Sequence, residues 1–325
     1  MSSSILHPSS SSVLVTGGAG FIGSHLVEKI LRDGKNVVVI DDFSTGSLDN
    51  FQSFGKNPRL RIIRQKISDC AELPEIAAEA DFIFHLAATV GVELVVKSAL
   101  HVLEASFNET QILLRAAAKN STPLLLTSTS EVYGKSAKPE FGEDDDLLIG
   151  PPGQSRWSYA CSKLTDEFLA LAYAREKKLP VIIARLFNTV GPRQTGRYGM
   201  VLPRFIAAAK AGEPLRVFGD GAQSRCFCLV HDVVESLVRL QQCDSARGEI
   251  FNIGGTEEIS ILELAQLVVE TLGSNSRIEL IPYDQAYSPG FDDMRRRKPL
   301  VEKLERFVQF HPRTPLRDII RLTAG

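Results

Sequence analysis

Two short polar clusters in this 325-residue sequence carry side chains suited to proton transfer at an alcohol. Tyr159 and Lys163 are four residues apart, which places them on one face of a helix. An ammonium group near a phenol lowers the phenol's pKa, so Tyr159 is a candidate base. The second cluster, T-S-T-S-E-V-Y-G at 127–134, offers the hydroxyl of Ser130 and the carboxyl group of Glu131. Together the clusters predict a site at which a bound hydroxyl group loses its proton.

An alternation of short apolar runs and amphipathic stretches positions these clusters. This order of strands and helices predicts an α/β fold with a doubly wound parallel sheet. The predicted strands are 13–16, 36–41, 61–65, 82–87, 123–128 and 180–186, and the predicted helices include 24–33 and 159–177. Ligands of such sheets bind at the carboxyl ends of the strands, which is where the second cluster falls.

After residue 188 the pattern changes. Residues 191–229 are rich in Gly, Pro and Arg and predict only short elements. A helix at 231–241, a strand at 249–253 and a helix at 261–272 follow, the last with a capping box formed by Ser260 and Glu263. We therefore predict a main domain from residues 1–188 and 231–256. A smaller C-terminal α/β substrate-binding domain is expected from 189–230 and 257–325.

A glycine-rich segment, V-T-G-G-A-G-F-I-G-S-H at 15–25, joins the first strand to the first helix. Gly17, Gly20 and Gly23 permit a tight turn and close approach of a pyrophosphate to the helix N-terminus. Asp41 ends the second strand, where an Asp can accept hydrogen bonds from both ribose hydroxyls. The segment predicts a dinucleotide-binding Rossmann domain that prefers NAD over its 2′-phosphorylated form.

Composition excludes several classes of protein. The formal net charge of −2 argues against nucleic acid as the main partner. No run of about 18 apolar residues predicts a membrane span, and the serine-rich stretch 2–12 lacks the apolar core of a signal peptide. The five cysteines lack the spacing of zinc ligands, so we expect free thiols, no metal site and a cytoplasmic protein.

With the sequence His85-Leu86-Ala87-Ala88, these motifs resemble the extended short-chain dehydrogenase/reductase family of NAD-dependent epimerases and dehydratases. The resemblance covers nearly the whole chain after residue 12. It implies that Tyr159 is the base, that Lys163 binds the nicotinamide ribose and that Ser130 steadies the sugar 4-hydroxyl. It also implies a homodimer formed through helices that include 159–177. The NAD contacts that it implies, besides Tyr159 and Lys163, are Gly17, Gly20, Phe21, Ile22, Gly23, Asp41, Leu86, Ala87 and Ala88.

The same resemblance extends to the substrate, since members of the family mostly act on nucleotide-sugars. It implies that Asn188, Phe218 and Arg225 contact the nucleotide and diphosphate of a UDP-sugar. The triplet Thr129-Ser130-Glu131 and the segment D-D-M-R-R-R-K-P at 292–299 are similar to UDP-glucuronate decarboxylases. In that group the arginine at position 297 of this sequence reaches the active site.

These features predict an enzyme that oxidises UDP-glucuronate at C4 and then decarboxylates it, giving UDP-xylose or a 4-keto pentose. Glu131 or Arg297 is expected to return the proton to C5, and burial is expected to raise the pKa of Glu131 so that it acts as an acid. The alternative is a 4-epimerase of a UDP-sugar or of UDP-glucuronate. A protein that only senses NAD would need no base such as Tyr159.

Overall fold

A computed structural model describes residues 11–88, 99–195, 200–282 and 294–325. Residues 2–10 of the serine-rich stretch and the two aspartates at 292 and 293 lie outside the described residues. Within the described part, no helix combines the length and apolarity that crossing a bilayer requires. All five cysteines are described, and all are free.

A seven-stranded parallel sheet forms the centre of the molecule, in the order β11-β6-β5-β4-β1-β2-β3. This sheet, flanked by helices on both faces, confirms the predicted doubly wound fold. Within this sheet β11 comes last in the sequence, and it pairs with β6 after a long excursion of the chain. The strands are β1 (Ser12–Thr16), β2 (Asn36–Asp41), β3 (Leu60–Arg64), β4 (Phe82–His85), β5 (Leu124–Thr129), β6 (Val181–Leu186), β7 (Thr189–Val190), β8 (Leu215–Phe218), β9 (Ser224–Cys226), β10 (Cys228–Leu229), β11 (Ile250–Ile253), β12 (Glu258–Ser260) and β13 (Ile278–Ile281).

Two apolar clusters cover the two faces of the sheet. Along β1, Val13 and Val15 belong to one cluster and Leu14 to the other, because successive side chains of a strand point to opposite faces. Burial on both faces explains why these strands read as continuous apolar runs. The helices are α1 (Phe21–Arg32), α2 (Leu73–Glu79), α3 (Ala99–Asn120), α4 (Ser158–Lys177), α5 (Val201–Ala211), α6 (Val230–Gln241), α7 (Ile261–Leu272), α8 (Glu302–Val308) and α9 (Leu316–Ala324).

Helix α5 lies within the stretch 191–229, so the prediction of only short elements there is wrong. Leu202, Phe205 and Ile206 are buried at helical spacing against α7 and α9. Pro203 is compatible with this helix because it stands in the first turn, where no intrahelical N–H bond is lost. The capping box of Ser260 and Glu263 at the start of α7 is present as predicted.

Three two-stranded sheets lie outside the main sheet: β7 with β10, β8 with β13, and β9 with β12. An apolar cluster shared by α5, α7 and α9 packs beside them. The proposed division into two domains stays a prediction.

Candidate active site

The glycine-rich turn between β1 and α1 is shaped by close backbone packing. A Cβ atom on Gly23 would lie 2.1 Å from the carbonyl oxygen of Gly17, and one on Gly17 would lie 2.6 Å from the Ala87 nitrogen. Gly17 also has a φ of 70°, which disfavours any side chain. Helix α1 starts directly after Gly20, with no side-chain cap. The first N–H groups of α1 therefore lack intrahelical acceptors, and the turn fits the pyrophosphate of a dinucleotide.

Phe21, Ile22 and Gly23 are the first three residues of α1, so their N–H groups are the ones that an anion at this turn would meet. On the neighbouring strand, Leu86 donates its N–H to the Thr16 carbonyl oxygen at 3.1 Å. This bond aligns the segment Leu86-Ala87-Ala88 with the glycine turn. The predicted cofactor contacts of β1, α1 and β4 thus share one edge of the sheet.

Asp41 ends β2 beside this turn. Its carboxylate accepts hydrogen bonds from the N–H groups of Ala19 and Phe43, both at 2.8 Å. Burial raises the pKa of Asp41, while these two N–H groups lower it in part. Arg64 pairs in register with Asp41 on β3 and places its guanidinium 5.3 Å from the centre of the Phe43 ring. Arg64 was not predicted to lie here, because it is 23 residues from Asp41 in the chain.

Tyr159 lies in the first turn of α4, next to the end of β5. Its phenol is hydrogen-bonded to Thr129, which the sequence analysis named in the triplet 129–131 but gave no role of its own. Burial raises the pKa of Tyr159 above its usual range, and the carboxylates of Glu131 and Asp166 raise it further. The expectation that the pKa of Tyr159 is lowered is therefore wrong. The Lys163 ammonium instead donates to Asp166 at 3.2 Å.

Glu131 is clamped between two arginines. Arg297 donates to one carboxylate oxygen at 2.7 Å and Arg156 donates to the other. Burial alone would raise the pKa of Glu131, but Arg297, Arg156 and the more distant Arg225 outweigh it and lower the pKa to about 2. The prediction that Glu131 is an acid near neutral pH is thus wrong for this arrangement, since two adjacent cations stabilise the carboxylate.

Backbone pairing holds Arg297 in place. The residue that follows it, Lys298, accepts the N–H of Phe141 at 2.9 Å, and Leu300 donates back to the Phe141 carbonyl at 2.9 Å. Pro299, between them, packs near Gly254, where a Cβ atom would lie 3.1 Å from the proline ring. The segment that carries Arg297, 166 residues after Glu131 in the chain, is therefore fixed beside the polar cluster at 127–134.

Arg156 is a second residue that the sequence analysis missed as a site residue. It stands in a short 3₁₀ turn, Ser155–Trp157, and its guanidinium lies 5.1 Å from the centre of the Trp157 ring. The indole N–H of Trp157 donates to Gln154 at 3.1 Å. Gly150 allows this packing, because a Cβ atom there would lie 2.1 Å from the indole nitrogen. The spacing of Arg156 three residues before Tyr159 was the available signal.

The structure brings part of the predicted substrate site together. Arg225 is buried, donates to the Ser224 carbonyl at 2.7 Å and is close enough to lower the pKa of Glu131. Asn188 follows β6 and donates to the carbonyl of Cys226 at 3.3 Å. Cys226 is the residue after Arg225, so Asn188 lies near that arginine. Phe218 ends β8, with the Arg204 guanidinium 4.6 Å from the centre of its ring. Ser130 is buried beside Glu131.

Comparison with known proteins agrees with this geometry. Residues 13–254 match the family described as "NAD dependent epimerase/dehydratase family". The chain belongs to this family. The predicted family and fold are thereby confirmed, whereas the roles of individual site residues stay predictions.

Three relatives of the chain have informative names. A "UDP-N-acetyl-alpha-D-glucosaminuronate decarboxylase" of Bacillus cytotoxicus is 43% identical over 300 residues, which are 92% of each chain. "UDP-glucuronic acid decarboxylase 4" of Arabidopsis thaliana is 37% identical over 306 residues, which are 94% of this chain and 66% of that longer protein. The structure of a UDP-glucuronic acid 4-epimerase from Bacillus cereus superposes with a TM-score of 0.86 at 30% identity, covering 96% and 98% of the two chains.

A buried polar network connects the elements that carry the site of this epimerase/dehydratase family member. Arg185 of β6 donates to both carboxylate oxygens of Glu167 in α4, with the shortest bond at 2.8 Å. It also donates to the hydroxyl of Tyr133, which in turn donates to Asn252 at 2.7 Å. Ser128, at the end of β5, donates to Glu167. The network ties α4, which carries Tyr159, to the strand end that carries Glu131.

Proposed function

We propose that this chain is an NAD-dependent decarboxylase of a UDP-hexuronate, which acts by oxidation at C4. The observation that carries the proposal is the pair Arg156 and Arg297, which holds the carboxylate of Glu131 next to Tyr159. A neutral hexose offers no group that needs such a pair. A C6 carboxylate does, because guanidinium groups bind carboxylates through charge-assisted hydrogen bonds.

The charges around Glu131 favour an anionic sugar. Arg156, Arg225 and Arg297 all lower the pKa of Glu131, so three guanidinium groups lie near its carboxylate. The Nε of Arg297 is also buried without a hydrogen-bond partner in the described part of the chain. A guanidinium donor of this kind fits the carboxylate of a UDP-hexuronate.

Tyr159 would take the proton of the C4 hydroxyl, with the Thr129 hydroxyl hydrogen-bonded to its oxygen. NAD held at the glycine turn and Asp41 would supply the acceptor for the C4 hydride. Lys163, one helical turn further along α4, would hold the nicotinamide ribose. These assignments rest on the family resemblance and on the position of both side chains at the cofactor edge of the sheet.

The arginine pair would then serve the second step. A ketone at C4 lies β to the C6 carboxylate, so carbon dioxide can leave and the ketone stabilises the enolate that remains. A substrate carboxylate on Arg297 would weaken the strongest attraction that keeps Glu131 ionised. Burial would then raise the pKa of Glu131, and Glu131 would be able to deliver the proton to C5.

Mass spectrometry of purified protein incubated with NAD tests the proposal. UDP-glucuronate and UDP-N-acetylglucosaminuronate are the two substrates to compare, since relatives named for each match the chain. We expect a product lighter by one carbon dioxide from one of them, and no product from the Tyr159→Phe variant. Carbonyl trapping of the product shows whether the 4-keto pentose or the reduced UDP-pentose is released. Unchanged mass and unchanged chromatography with both sugars would overturn the proposal.

A 4-epimerase is the second candidate, because the similar structure from Bacillus cereus is a UDP-glucuronic acid 4-epimerase. That reaction shares the first proton and hydride transfer but keeps the C6 carboxylate. A product of unchanged mass with a new chromatographic position would therefore establish epimerisation instead of decarboxylation.

We further propose that two copies of the chain associate through α3 and α4. Exposed apolar side chains stand on both helices, at Leu100, Leu103 and Phe107 of α3 and at Phe168 of α4. The two helices pack against each other, so these side chains mark one side of the molecule. Light scattering after gel filtration should give a dimer for the wild type and a monomer for Phe168→Glu. Leu148→Glu, at another exposed apolar position, is the matched control that should stay dimeric.

A further inference from the structure

We infer that Asp166 is a positioning residue for proton transfer at Tyr159, and that it acts through Lys163. The inference deepens the proposed function, since it concerns the C4 oxidation with which both candidate reactions begin. It goes beyond the pair of Tyr159 and Lys163 by assigning a role to a third charged side chain on α4.

The carboxylate of Asp166 is completely buried, three residues after Lys163 on the same helix. Its Oδ2 accepts a hydrogen bond from the Lys163 ammonium at 3.2 Å and another from the Ser106 hydroxyl at 2.8 Å. Ser106 belongs to α3, which packs along α4. The lysine is thus fixed from its own helix and, through Asp166, from the neighbouring one.

Packing alone does not explain an acid at this position. A buried carboxylate is costly unless cations or donors compensate it, and an apolar side chain of similar size commonly stabilises such a position better. The other oxygen of Asp166, Oδ1, is buried without a hydrogen-bond partner in the described part of the chain. The carboxylate is therefore not fully satisfied by its surroundings, and its main interaction is with Lys163.

One further titratable group near Lys163 comes from the main sheet. His85 of β4 lies near it, but burial and the lysine itself lower the pKa of His85 to about 3, so it is neutral. Its ring is held between the hydroxyls of Thr16 and Thr110 at 2.7 Å and 3.1 Å. Among these groups, Asp166 carries the charge that directly balances the lysine.

The other charges near Tyr159 are paired among themselves. Glu131 is balanced by Arg156 and Arg297, and Glu167 by Arg185 of β6. Lys163 and Asp166 form a further pair beside Tyr159 among the described residues. The ammonium has three donors, so one bond to Asp166 leaves two for the ribose hydroxyls of a bound cofactor.

This arrangement gives Asp166 a defined electrostatic effect. Its negative charge opposes loss of the phenolic proton and offsets the positive charge of Lys163. Replacing Asp166 by a neutral residue should lower the pKa of Tyr159 and shift the acid limb of the C4 oxidation rate to lower pH. A nearby unit charge makes this shift on the order of one pH unit. The rate at the plateau should fall as well, because Lys163 loses its anchor.

The test compares four variants of the full chain with the wild type. Asp166→Asn and Asp166→Ala both remove the charge, and Ser106→Ala removes a hydrogen bond to Asp166 but keeps the charge. Glu176→Gln is the matched control, since Glu176 is an exposed acid near the other end of α4. The first measurement is the pH dependence of the rate of NAD reduction in a single turnover with the accepted UDP-sugar.

The second measurement needs no sugar. Calorimetry gives the dissociation constants of NAD and NADH, and the oxidised cofactor carries one more positive charge at its ring. Loss of the Asp166 charge should therefore weaken NAD binding several-fold relative to NADH binding. Ser106→Ala and Glu176→Gln should leave that ratio within about twofold of the wild type.

The proposal requires both charge-removing variants to shift the acid limb and the affinity ratio in the stated directions. The proposal is overturned if these variants lose thermal stability but keep the acid limb of the rate profile and the ratio of NAD to NADH affinity. A purely structural role of Asp166 predicts that result. An equal shift in Ser106→Ala would overturn it too, since that variant keeps the charge. If none of the tested UDP-sugars reduces NAD on the wild type, the proposed function fails. The ratio of NAD to NADH affinity then still decides the role of Asp166.

Discussion

Replacement of Glu131 by glutamine keeps the shape of the side chain and removes the charge that balances Arg156 and Arg297. The pKa of Glu131 is lowered from 4.5 to about 2. At 1.36 kcal/mol per pKa unit, this shift corresponds to about 3 kcal/mol of stability at neutral pH. Loss of one partner of a buried ion pair typically costs 3–5 kcal/mol, which agrees with this magnitude. We therefore expect Glu131→Gln to unfold with a free energy about 3 kcal/mol below that of the wild type at pH 7.

The stability difference between the wild type and Glu131→Gln should depend on pH. The folded-state pKa lies below the unfolded value, so the stabilisation is complete above pH 4.5 and is lost as the pH falls toward 2. By pH 3.5 the wild type should have lost roughly 1 kcal/mol of its advantage over the variant. Urea denaturation followed by tryptophan fluorescence measures both values. Trp157 is the only tryptophan, is buried and contacts Arg156, so its emission reports directly on this site.

Glu140→Gln is the matched control. Glu140 pairs with Lys298, next to Arg297 in sequence, but its side chain is 38% exposed. A surface pair of this kind contributes about 0–1 kcal/mol, so the control should unfold almost as the wild type does. The reasoning is refuted if Glu131→Gln is as stable as this control. It is also refuted if the difference in unfolding free energy between Glu131→Gln and the wild type does not narrow on acidification.

Three further predictions concern the same edge of the sheet. Tyr159→Phe should slow NAD reduction by about 100-fold or more in stopped-flow measurements with UDP-sugar affinity retained, and a loss of affinity alone would contradict its role as base. Glu167→Gln leaves Arg185 buried without its carboxylate, so urea denaturation should show a loss of about 3–5 kcal/mol. A loss below 1 kcal/mol would mean that the network is not needed for stability. Gly23→Ala places a Cβ atom 2.1 Å from the Gly17 oxygen, so calorimetry should show NAD affinity reduced by at least about tenfold. Unaltered affinity would contradict the assignment of this turn to NAD binding.

Much of the main sheet was predictable because its signal is local. The apolar runs at 13–16 and 36–41 match β1 and β2 closely, and the helix predicted at 159–177 begins one residue early in the structure, at Ser158. Buried parallel strands and glycine turns leave continuous patterns in the sequence. The site residues on these elements, Tyr159 and Glu131 among them, were found for the same reason.

What the sequence could not provide was the electrostatics of the site. The pKa of Glu131 depends on Arg297, which lies 166 residues away in the chain. Burial of Glu131 was expected correctly, but the neighbours that reverse its effect come from distant segments. The direction of the Tyr159 pKa was missed in the same way, because it depends on which groups Lys163 and Asp166 contact in the folded chain.

Helix α5 was missed for a different reason. Its residues 201–211 stand in a stretch dominated by glycine, proline and arginine, and Pro203 falls inside the helix. Composition averaged over the whole stretch hid the helical spacing of Leu202, Phe205 and Ile206. A shorter window would have shown it.

The return of β11 to the main sheet has a consequence for how the chain acquires its structure during synthesis. Until Ile253 has been added, β6 is an edge strand whose backbone groups lack their outer partner. Asn252, which accepts the Tyr133 hydroxyl and donates to the Phe141 carbonyl, is also missing from such a nascent chain. Amino-terminal fragments that stop before β11 should consequently expose a strand edge and self-associate, so shortened versions for crystallography or screening need to extend past this strand.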